Sequence, residues 1–555
     1  MSRTFSNESW GPRHQQPPVV PAKHRSIVWK ALGWYLVALF AHGVIDPAGP
    51  NMFEWSAHAV VMGWLTVLFV RGVRDGRIPI GWLLRLCERL ALLFVDNVRA
   101  STGRRPVLDA PVPTAEYVRA RVRQAGGGPY LGVDEDGEWV TADPRSATMV
   151  LGPPQRGKTS AVIIPALLGA SGAVISTSTK PDVMEATFQA RAELGELWLF
   201  DPYGEEQLPV GVQRLCWSPV AGADTWDRAL IMARAMTACT RVGAGTSNEN
   251  HWTERAAALL APLLFAANAS KRPIEEVLCW TLDHDLAPAL KALQLTDAKM
   301  AASVLVGIER TDTRERSSIF SATAGVLAAY NSDAVRATAT EPNFDPFRFA
   351  ASHDTLYITA PEQHQAACAP LIVGLLEQIR HAAYDLARRP EPGRVPMLWL
   401  LDEVANIAPI HDLPNFVSQA GGQLIQLLIV LQDLSQAATR WGQHAAEGFM
   451  SLFQTKLILD GIGDPRTLEA ISLAIGEYDR ELVCTSSGTN ENGEWFSLPG
   501  RSEGTSYQTH RQRVLPPGEI AQLPKDRGLL LEGASWELIE LTRWYQHDPW
   551  TSIGG

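Results

Sequence analysis

The stretch Gly152-Pro153-Pro154-Gln155-Arg156-Gly157-Lys158-Thr159 fits the pattern GxxxxGK[ST] and lies between two apolar runs, Ala147 to Leu151 and Ala161 to Leu168. It therefore reads as strand, loop and helix, the setting in which this pattern binds phosphate. The glycines let backbone N–H groups curl around the phosphates of a nucleoside triphosphate. Lys158 reaches the β and γ oxygens, the Thr159 hydroxyl suits Mg²⁺, and Ser160 opens the helix beside them. Far downstream the apolar run Met397-Leu-Trp-Leu-Leu401 leads into Asp402-Glu403. In a parallel α/β sheet the ligand crevice lies beyond the carboxyl ends of the strands, so Asp402 is expected to face the Lys158 loop. Asp402 then suits Mg²⁺, and Glu403 suits polarising the attacking water. A third apolar run, Leu424 to Leu431, ends at Gln432. A neutral amide there can bond a phosphate oxygen or the lytic water, which makes Gln432 a candidate γ-phosphate sensor. ATP and Mg²⁺ are the cofactors this set of residues calls for.

These groups need a sheet to hold them together. Ala173 to Thr177 and Leu197 to Phe200 read as short buried strands, ended by Ser178-Thr179-Lys180-Pro181-Asp182 and by Asp201-Pro202. From Thr225 to about Thr340 the strand signal gives way to helical spacing, as in Glu254 to Asn268 and Ser317 to Tyr330, which predicts a helical insertion between strands. Strand signals return at Thr355 to Thr359, Leu398 to Leu401, Leu424 to Leu431, Thr455 to Leu459 and Gly528 to Glu532. Residues 485–506 are rich in Ser, Gly, Asn and Glu and read as a flexible loop or hairpin. Residues 101–145, rich in Pro, Gly and charge, read as a linker with short strands.

A chain of 555 residues, 46% apolar, is large enough for two or three structural units. Its six cysteines are scattered without CxxC pairs, which predicts reduced thiols and no structural zinc. A net charge of −11 excludes a protein that coats itself with nucleic acid, so any such contact must be local. Residues 1–99 nevertheless carry 11 Lys/Arg against 6 Asp/Glu. That basic end also holds two apolar segments, Ile27 to Ile45 and Ala57 to Val70. Arg3, Arg13, Lys23 and Arg25 precede the first, Arg71, Arg74 and Arg77 follow the second, and the loop between has no Lys or Arg. The positive-inside rule then predicts a two-pass hairpin with both ends cytoplasmic. Trp82 to Val95 reads as an amphipathic helix on the inner membrane face or at the start of the soluble part. The organisation expected is a tail over 1–26, a transmembrane hairpin over 27–75, and an amphipathic helix and linker over 76–145. A nucleotide-binding domain follows, formed by 146–224 and 341–555 and interrupted by an all-alpha insertion over 225–340.

A membrane hairpin, phosphate loop, helical insertion and strand ending in Leu-Asp-Glu, in this order, resemble the TraG/TraD-type coupling proteins of conjugation and type IV secretion. The resemblance spans nearly the whole chain. Beyond the phosphate loop it rests on Thr177-Ser-Thr-Lys180-Pro-Asp182, Leu199-Phe-Asp201-Pro202, Glu315-Arg316-Ser-Ser-Ile-Phe-Ser321, Leu401-Asp402-Glu403-Val-Ala-Asn406 and Val430-Leu-Gln432-Asp-Leu-Ser-Gln436. It implies an α/β fold of RecA-like P-loop NTPase type with the helical insertion as substrate-recognition domain. It also implies a homo-hexameric motor at the bacterial inner membrane that hydrolyses ATP and passes single-stranded DNA with its relaxase, or an effector protein, to a type IV secretion channel. This chain departs from many such relatives after its second strand, where Thr179-Lys180-Pro181-Asp182 stands in place of a Lys-Gly-Glu run.

Other readings stay open on sequence: an FtsK-like DNA pump, a protein-only secretion ATPase, or a membrane scaffold that binds nucleotide as a structural ligand. Intact Glu403 argues against the last, and the absence of an LSGGQ-like signature before Asp402 argues against an ABC transporter. In a ring, a neighbouring subunit often supplies a positive group to the site. Arg310, Arg314, Arg316 and Arg440 are the candidates here, and Lys180 is a candidate for phosphate or subunit contact.

Overall fold

The computed structural model describes residues 113–240, 249–389, 391, 393–489 and 501–554. The two apolar segments of the expected hairpin and the Trp82 to Val95 stretch lie outside them. Among the described residues no helix is long and apolar enough to cross a membrane.

The strands in chain order are β1 (Tyr130–Val133), β2 (Trp139–Thr141), β3 (Thr148–Leu151), β4 (Val174–Ser178), β5 (Leu197–Phe200), β6 (Val212–Arg214) and β7 (Thr355–Thr359). They continue with β8 (Met397–Leu401), β9 (Ile425–Leu431), β10 (Thr455–Leu459), β11 (Glu477–Thr489), β12 (Arg501–Arg513), β13 (Arg527–Glu532) and β14 (Ser535–Glu540). All except β11 and β12 form one sheet in the order β2-β1-β14-β13-β10-β3-β9-β8-β4-β7-β5-β6. From β10 to β6 every neighbouring pair is parallel. From β13 outward the pairs are antiparallel. The late strands β8 and β9 thus stand between β3 and β4, and the carboxyl ends of β3, β9 and β8 lie side by side.

Parallel strands buried on both faces favour apolar residues on both, which is why β8 reads as an unbroken run and β9 as one interrupted only by Gln426, whose amide donates to the Gly127 carbonyl. The period-2 geometry still sorts them. Met397, Trp399 and Leu401 enter the core layer shared with the helices after β6, while Leu398 and Leu400 enter the opposite layer with Val162, Leu167 and Met184. Between β6 and β7 the longer described elements are helices: Trp226–Ala238, Glu249–Ala269, Ile274–Leu282, Ala287–Leu295, Lys299–Glu309 and Thr313–Val326. Glu249–Ala269 is their hub, with Leu259, Leu260, Leu263 and Leu264 fully buried. Side-chain oxygens start two of the flanking helices: Thr225 accepts from the Arg228 N–H and Asp312 from the Arg314 N–H.

Three segments carry detail beyond what composition suggests. Within the stretch read as a linker, residues Ala115–Gln124 form a helix, and β1 and β2 extend the sheet edge. The Ser/Gly-rich stretch takes its hairpin form where it is described: β11 pairs with β12 from Glu477 opposite Arg513 to Thr489 opposite Arg501. Backbone pairing of this kind does not need an apolar face, so composition alone could not separate strand from loop. Finally, β14 folds back on β13 as a hairpin that carried no strong alternation signal.

One buried charge ties the sheet to its flanking helix. Arg191, on helix Asp182–Ala192, is fully buried and donates to Thr355 Oγ1 (2.8 Å) and to the carbonyls of Ala170 (2.6 Å), Gly172 (2.8 Å) and His353 (3.0 Å). Burial pulls its guanidinium down to about 10, still cationic near neutral pH. Arg191→Ala would leave several of these carbonyls unpaired in the core, so urea unfolding should show a loss of roughly 3 kcal/mol or more. Arg191→Lys should recover only part of that, because an ammonium cannot reproduce the planar fork. A change below about 1 kcal/mol in the alanine variant would contradict this role.

Candidate nucleotide site

The phosphate loop leaves the sheet where the pattern expects it. β3 ends at Leu151, and the Gly152 N–H still donates to the Leu431 carbonyl of β9 at 3.1 Å. A Cβ on Gly152 would stand 2.9 Å from the Leu459 side chain on β10, so a larger residue there must displace its neighbour. Pro153, Pro154, Gln155 and Arg156 form the crown of the loop. Gln155 at φ 64° and Gly157 at φ 94° take left-handed conformations of the kind that build anion-binding nests. The helix that follows opens with a wide π-type turn, Lys158–Ile163, and continues as Ile164–Gly169.

Lys158 is buried and its Nζ donates to the Pro153 carbonyl at 2.8 Å. Burial lowers its pKa, while Asp402 and then Glu403 pull the other way. Thr159 Oγ1 donates to Asp402 Oδ2 at 3.2 Å, which brings the loop hydroxyl and the β8 carboxylate together. Asp402 is held from behind: its Oδ1 accepts the Glu403 N–H at 3.0 Å, and its carbonyl accepts from Thr177 Oγ1 on β4 at 2.8 Å. Desolvation raises the Asp402 carboxyl from an ordinary 3.8 to about 6, against the pull of Lys158. Glu403 sits at φ 47°, an uncommon conformation for a side chain of this size, in a turn whose carbonyl accepts the N–H groups of Asn406 and Ile407. Gln432 follows β9, the strand between β3 and β8, and so stands between the phosphate loop and Asp402 along the sheet edge. Its N–H donates to Gln436 Oε1 at 2.9 Å.

A cavity of about 550 Å³ opens beside the loop, the size of a drug- or nucleotide-sized ligand. Gln155, Gly157, Lys158, Thr159 and Ser160 line it. Gly152, Pro153, Pro154 and Arg156 support it from outside, Arg156 through an ion pair to Asp460 beyond β10 (2.8 Å). Asp402 reaches it through Thr159, whereas Glu403 and Gln432 lie along the same edge without lining it. The rest of its lining includes Asp182, Glu185, Arg543, Trp544 and Tyr545, of which all but Asp182 were not legible in the sequence. Asp182 had a signal, the end of β4; the stretch Arg543 to Tyr545 matches no motif and arrives from the far end of the chain.

A second, larger cavity of about 1200 Å³ lies between helix Thr313–Val326, the turn after Glu403 and helix Leu434–Trp441. Ser317, Ser318, Ser321, Asn406, Gln436 and Arg440 are among its lining. Of the four candidate finger arginines, Arg310 and Arg314 are exposed. Arg316 donates to the Glu309 carbonyl (2.7 Å), and Arg440 donates to the carbonyls of Cys239 and Pro409. Lys180 is exposed at the turn after β4.

The raised Asp402 pKa has a definite sign. The folded protein holds that proton more tightly than the unfolded chain, so the stability this group contributes is complete below about 4 and is lost as pH rises through about 6. In Mg²⁺-free thermal melts, Asp402→Asn should therefore gain on the natural protein as pH rises from 4 to 7. A difference in Tm that stays constant over that window would contradict the assignment of Asp402 as a buried, destabilising charge.

Comparison with known proteins places this geometry. The family model described as "Type IV secretory system Conjugative DNA transfer" matches residues 114–549. Protein VirD4 of Rhizobium rhizogenes is 23% identical over 363 residues, covering 63% of this chain and 52% of its own length. Protein VirD4 of Rhizobium radiobacter is 22% identical over 447 residues, covering 78% and 62%. The chain thus spans between half and two thirds of these curated relatives. Among solved structures, the unbound bacterial conjugative coupling protein TrwBdeltaN70 superposes with a TM-score of 0.55 at 19% identity, over 77% of this chain and 91% of that one. Plasmid coupling protein TrwB in complex with ADP and Mg²⁺ gives a TM-score of 0.54 at 18% identity, over 76% and 91%. These structures share the α/β fold with its large mixed sheet. The family match runs from the helix before β1 to beyond Tyr545 and contains the phosphate loop, Asp402-Glu403 and Gln432: the chain belongs to the type IV secretory system conjugative DNA transfer family.

Proposed function

We propose that this chain is a membrane-anchored ATPase that couples ATP hydrolysis to the recruitment and translocation of single-stranded DNA, with its relaxase or an effector protein, into a type IV secretion channel. The observation that carries the reading is the Thr159 Oγ1 to Asp402 Oδ2 contact of 3.2 Å at the mouth of a nucleotide-sized cavity. A hydroxyl and a carboxylate at one point are the hard oxygen donors that Mg²⁺ takes in phosphate-loop enzymes, where phosphates and water complete its shell. Bound there, Mg²⁺ would neutralise charge on the β- and γ-phosphates. The solved complex of TrwB with ADP and Mg²⁺ supports the choice of cofactor.

The remaining roles follow from this chain's own residues. Gly157 and the loop N–H groups bind phosphate oxygens, and Lys158 gives up the Pro153 carbonyl to reach them. Glu403 takes the proton of the attacking water. Gln432 reads the γ-phosphate, and its bond to Gln436 carries the change into helix Leu434–Trp441. Gln436 and Asn406 both face the larger cavity beside Ser317 and Ser321 of the helical segment, which provides a physical route from nucleotide state to the substrate-handling helices. The domain division set out from the sequence, a homo-hexameric ring and a two-pass inner-membrane hairpin over residues 27–75 complete the proposal, supported by membership of the family and by the charge pattern around the two apolar segments.

Lys158→Ala should abolish tight nucleotide binding and turnover. Glu403→Gln should keep ATP bound while lowering turnover by about 100-fold or more. Steady-state phosphate release with a parallel binding assay checks both, and normal turnover in either variant would sink the site. Deletion of residues 1–75 should move the protein from the membrane to the soluble fraction and weaken its oligomers; continued sedimentation with membranes would refute the hairpin.

A further inference from the structure

We propose that the part of the 550 Å³ cavity lined by Tyr545 is a nucleobase and ribose subsite in which that ring is the stacking platform, a deepening that rests on the nucleotide reading above. Tyr545 lines this cavity with 48% of its surface exposed, yet it is held firmly. Its hydroxyl accepts from Arg543 Nη1 at 3.1 Å, and its ring meets Trp544 edge to face at 5.9 Å and 88°. Arg543 is itself fixed by Asp526, with Nε and Nη2 at 2.9 and 2.7 Å from Oδ1. The Trp544 N–H donates to the Ser160 carbonyl at 3.0 Å, which fastens the whole strap to the first turn of the phosphate-loop helix. An aromatic ring that is both exposed and anchored loses little freedom when a flat ligand stacks on it.

The rest of the lining divides the cavity chemically. Ile164 and Ala186 offer apolar surface, and Asp182 and Glu185 offer carboxylate acceptors. An acidic wall repels phosphate and accepts hydrogen bonds from sugar hydroxyls. Phosphates must therefore go to the Lys158 end, the ribose to the acidic wall and the base to the Tyr545 ring. Arg543 borders the phosphate loop, its Nη2 3.9 Å from where a Cβ of Gly157 would stand, and Asp526 holds it in place there. Stacking of this kind accepts any base, so the strap sets affinity and orientation rather than a choice among bases.

The test is calorimetric titration of the full-length protein in detergent with Mg²⁺ and either ADP or pyrophosphate, which share the phosphates but not the base. Tyr545→Ala should weaken ADP roughly tenfold and leave pyrophosphate unchanged. Tyr545→Phe, which keeps the ring and loses only the bond from Arg543, should hold ADP within about twofold. Unchanged ADP affinity in Tyr545→Ala overturns the subsite, and so does an equal loss for ADP and pyrophosphate, which would mean the strap only props up the loop. If the natural protein binds neither ligand, the nucleotide reading itself fails and the subsite falls with it.

Discussion

Two opposite charges, Lys158 and Asp402, are buried together at the edge of a sheet whose central strands are almost wholly apolar. Taking either out of water is costly, and the cost shows in the opposite displacements of their pKa values: the lysine is pushed down and the aspartic acid up. Their mutual attraction, the Thr159 hydroxyl and the Glu403 N–H offset part of that cost. A polyanion with a divalent cation would offset more, because the lysine gains phosphate oxygens and the carboxylate gains a cation. The pair is thus least comfortable alone and most stable with its ligand, which is the electrostatic condition for tight, Mg²⁺-dependent binding.

The sheet order makes that pair useful. Because β9 stands between β3 and β8, Gln432 comes between the phosphate loop and the carboxylates, and each of the three strands ends in a residue that the next event can move. The same edge is the root of the turn to Asn406 and of helix Leu434–Trp441. Both reach the larger cavity beneath the helical segment. On the other side of the loop, the segment Arg543 to Tyr545 closes the nucleotide cavity from the last part of the chain. An early segment and the last part of the described chain therefore meet around one ligand-sized space, and Asp402 joins them through Thr159.

Much of this was legible in the sequence where chemistry and local pattern coincide. The phosphate loop, Asp402-Glu403 and the strand before Gln432 announce themselves because glycine, lysine, hydroxyl and carboxylate fall at junctions of apolar runs. The helical stretch after β6 was equally plain from its spacing. The lining contributed by Glu185 and Arg543 to Tyr545 was not, because nothing local marks a strap that acquires its role only by docking on Ser160. Arg191 was hidden for a similar reason: its four acceptors come from two separate places in the chain, residues 170–172 and 353–355, and a lone arginine in a helix looks like surface. Strand β14 was not legible because it is mostly exposed, and Ser535, Glu537 and Glu540 leave it no continuous apolar run.

Coupling between the nucleotide site and DNA is read most plainly from steady-state ATP turnover by the protein reconstituted in lipid, with and without single-stranded DNA. A DNA-coupled motor gives Mg²⁺-dependent turnover that rises when DNA is added. Turnover that proceeds at the same rate whether or not DNA is present would contradict a DNA-coupled motor and shift the assignment to an ATPase that secretes protein alone.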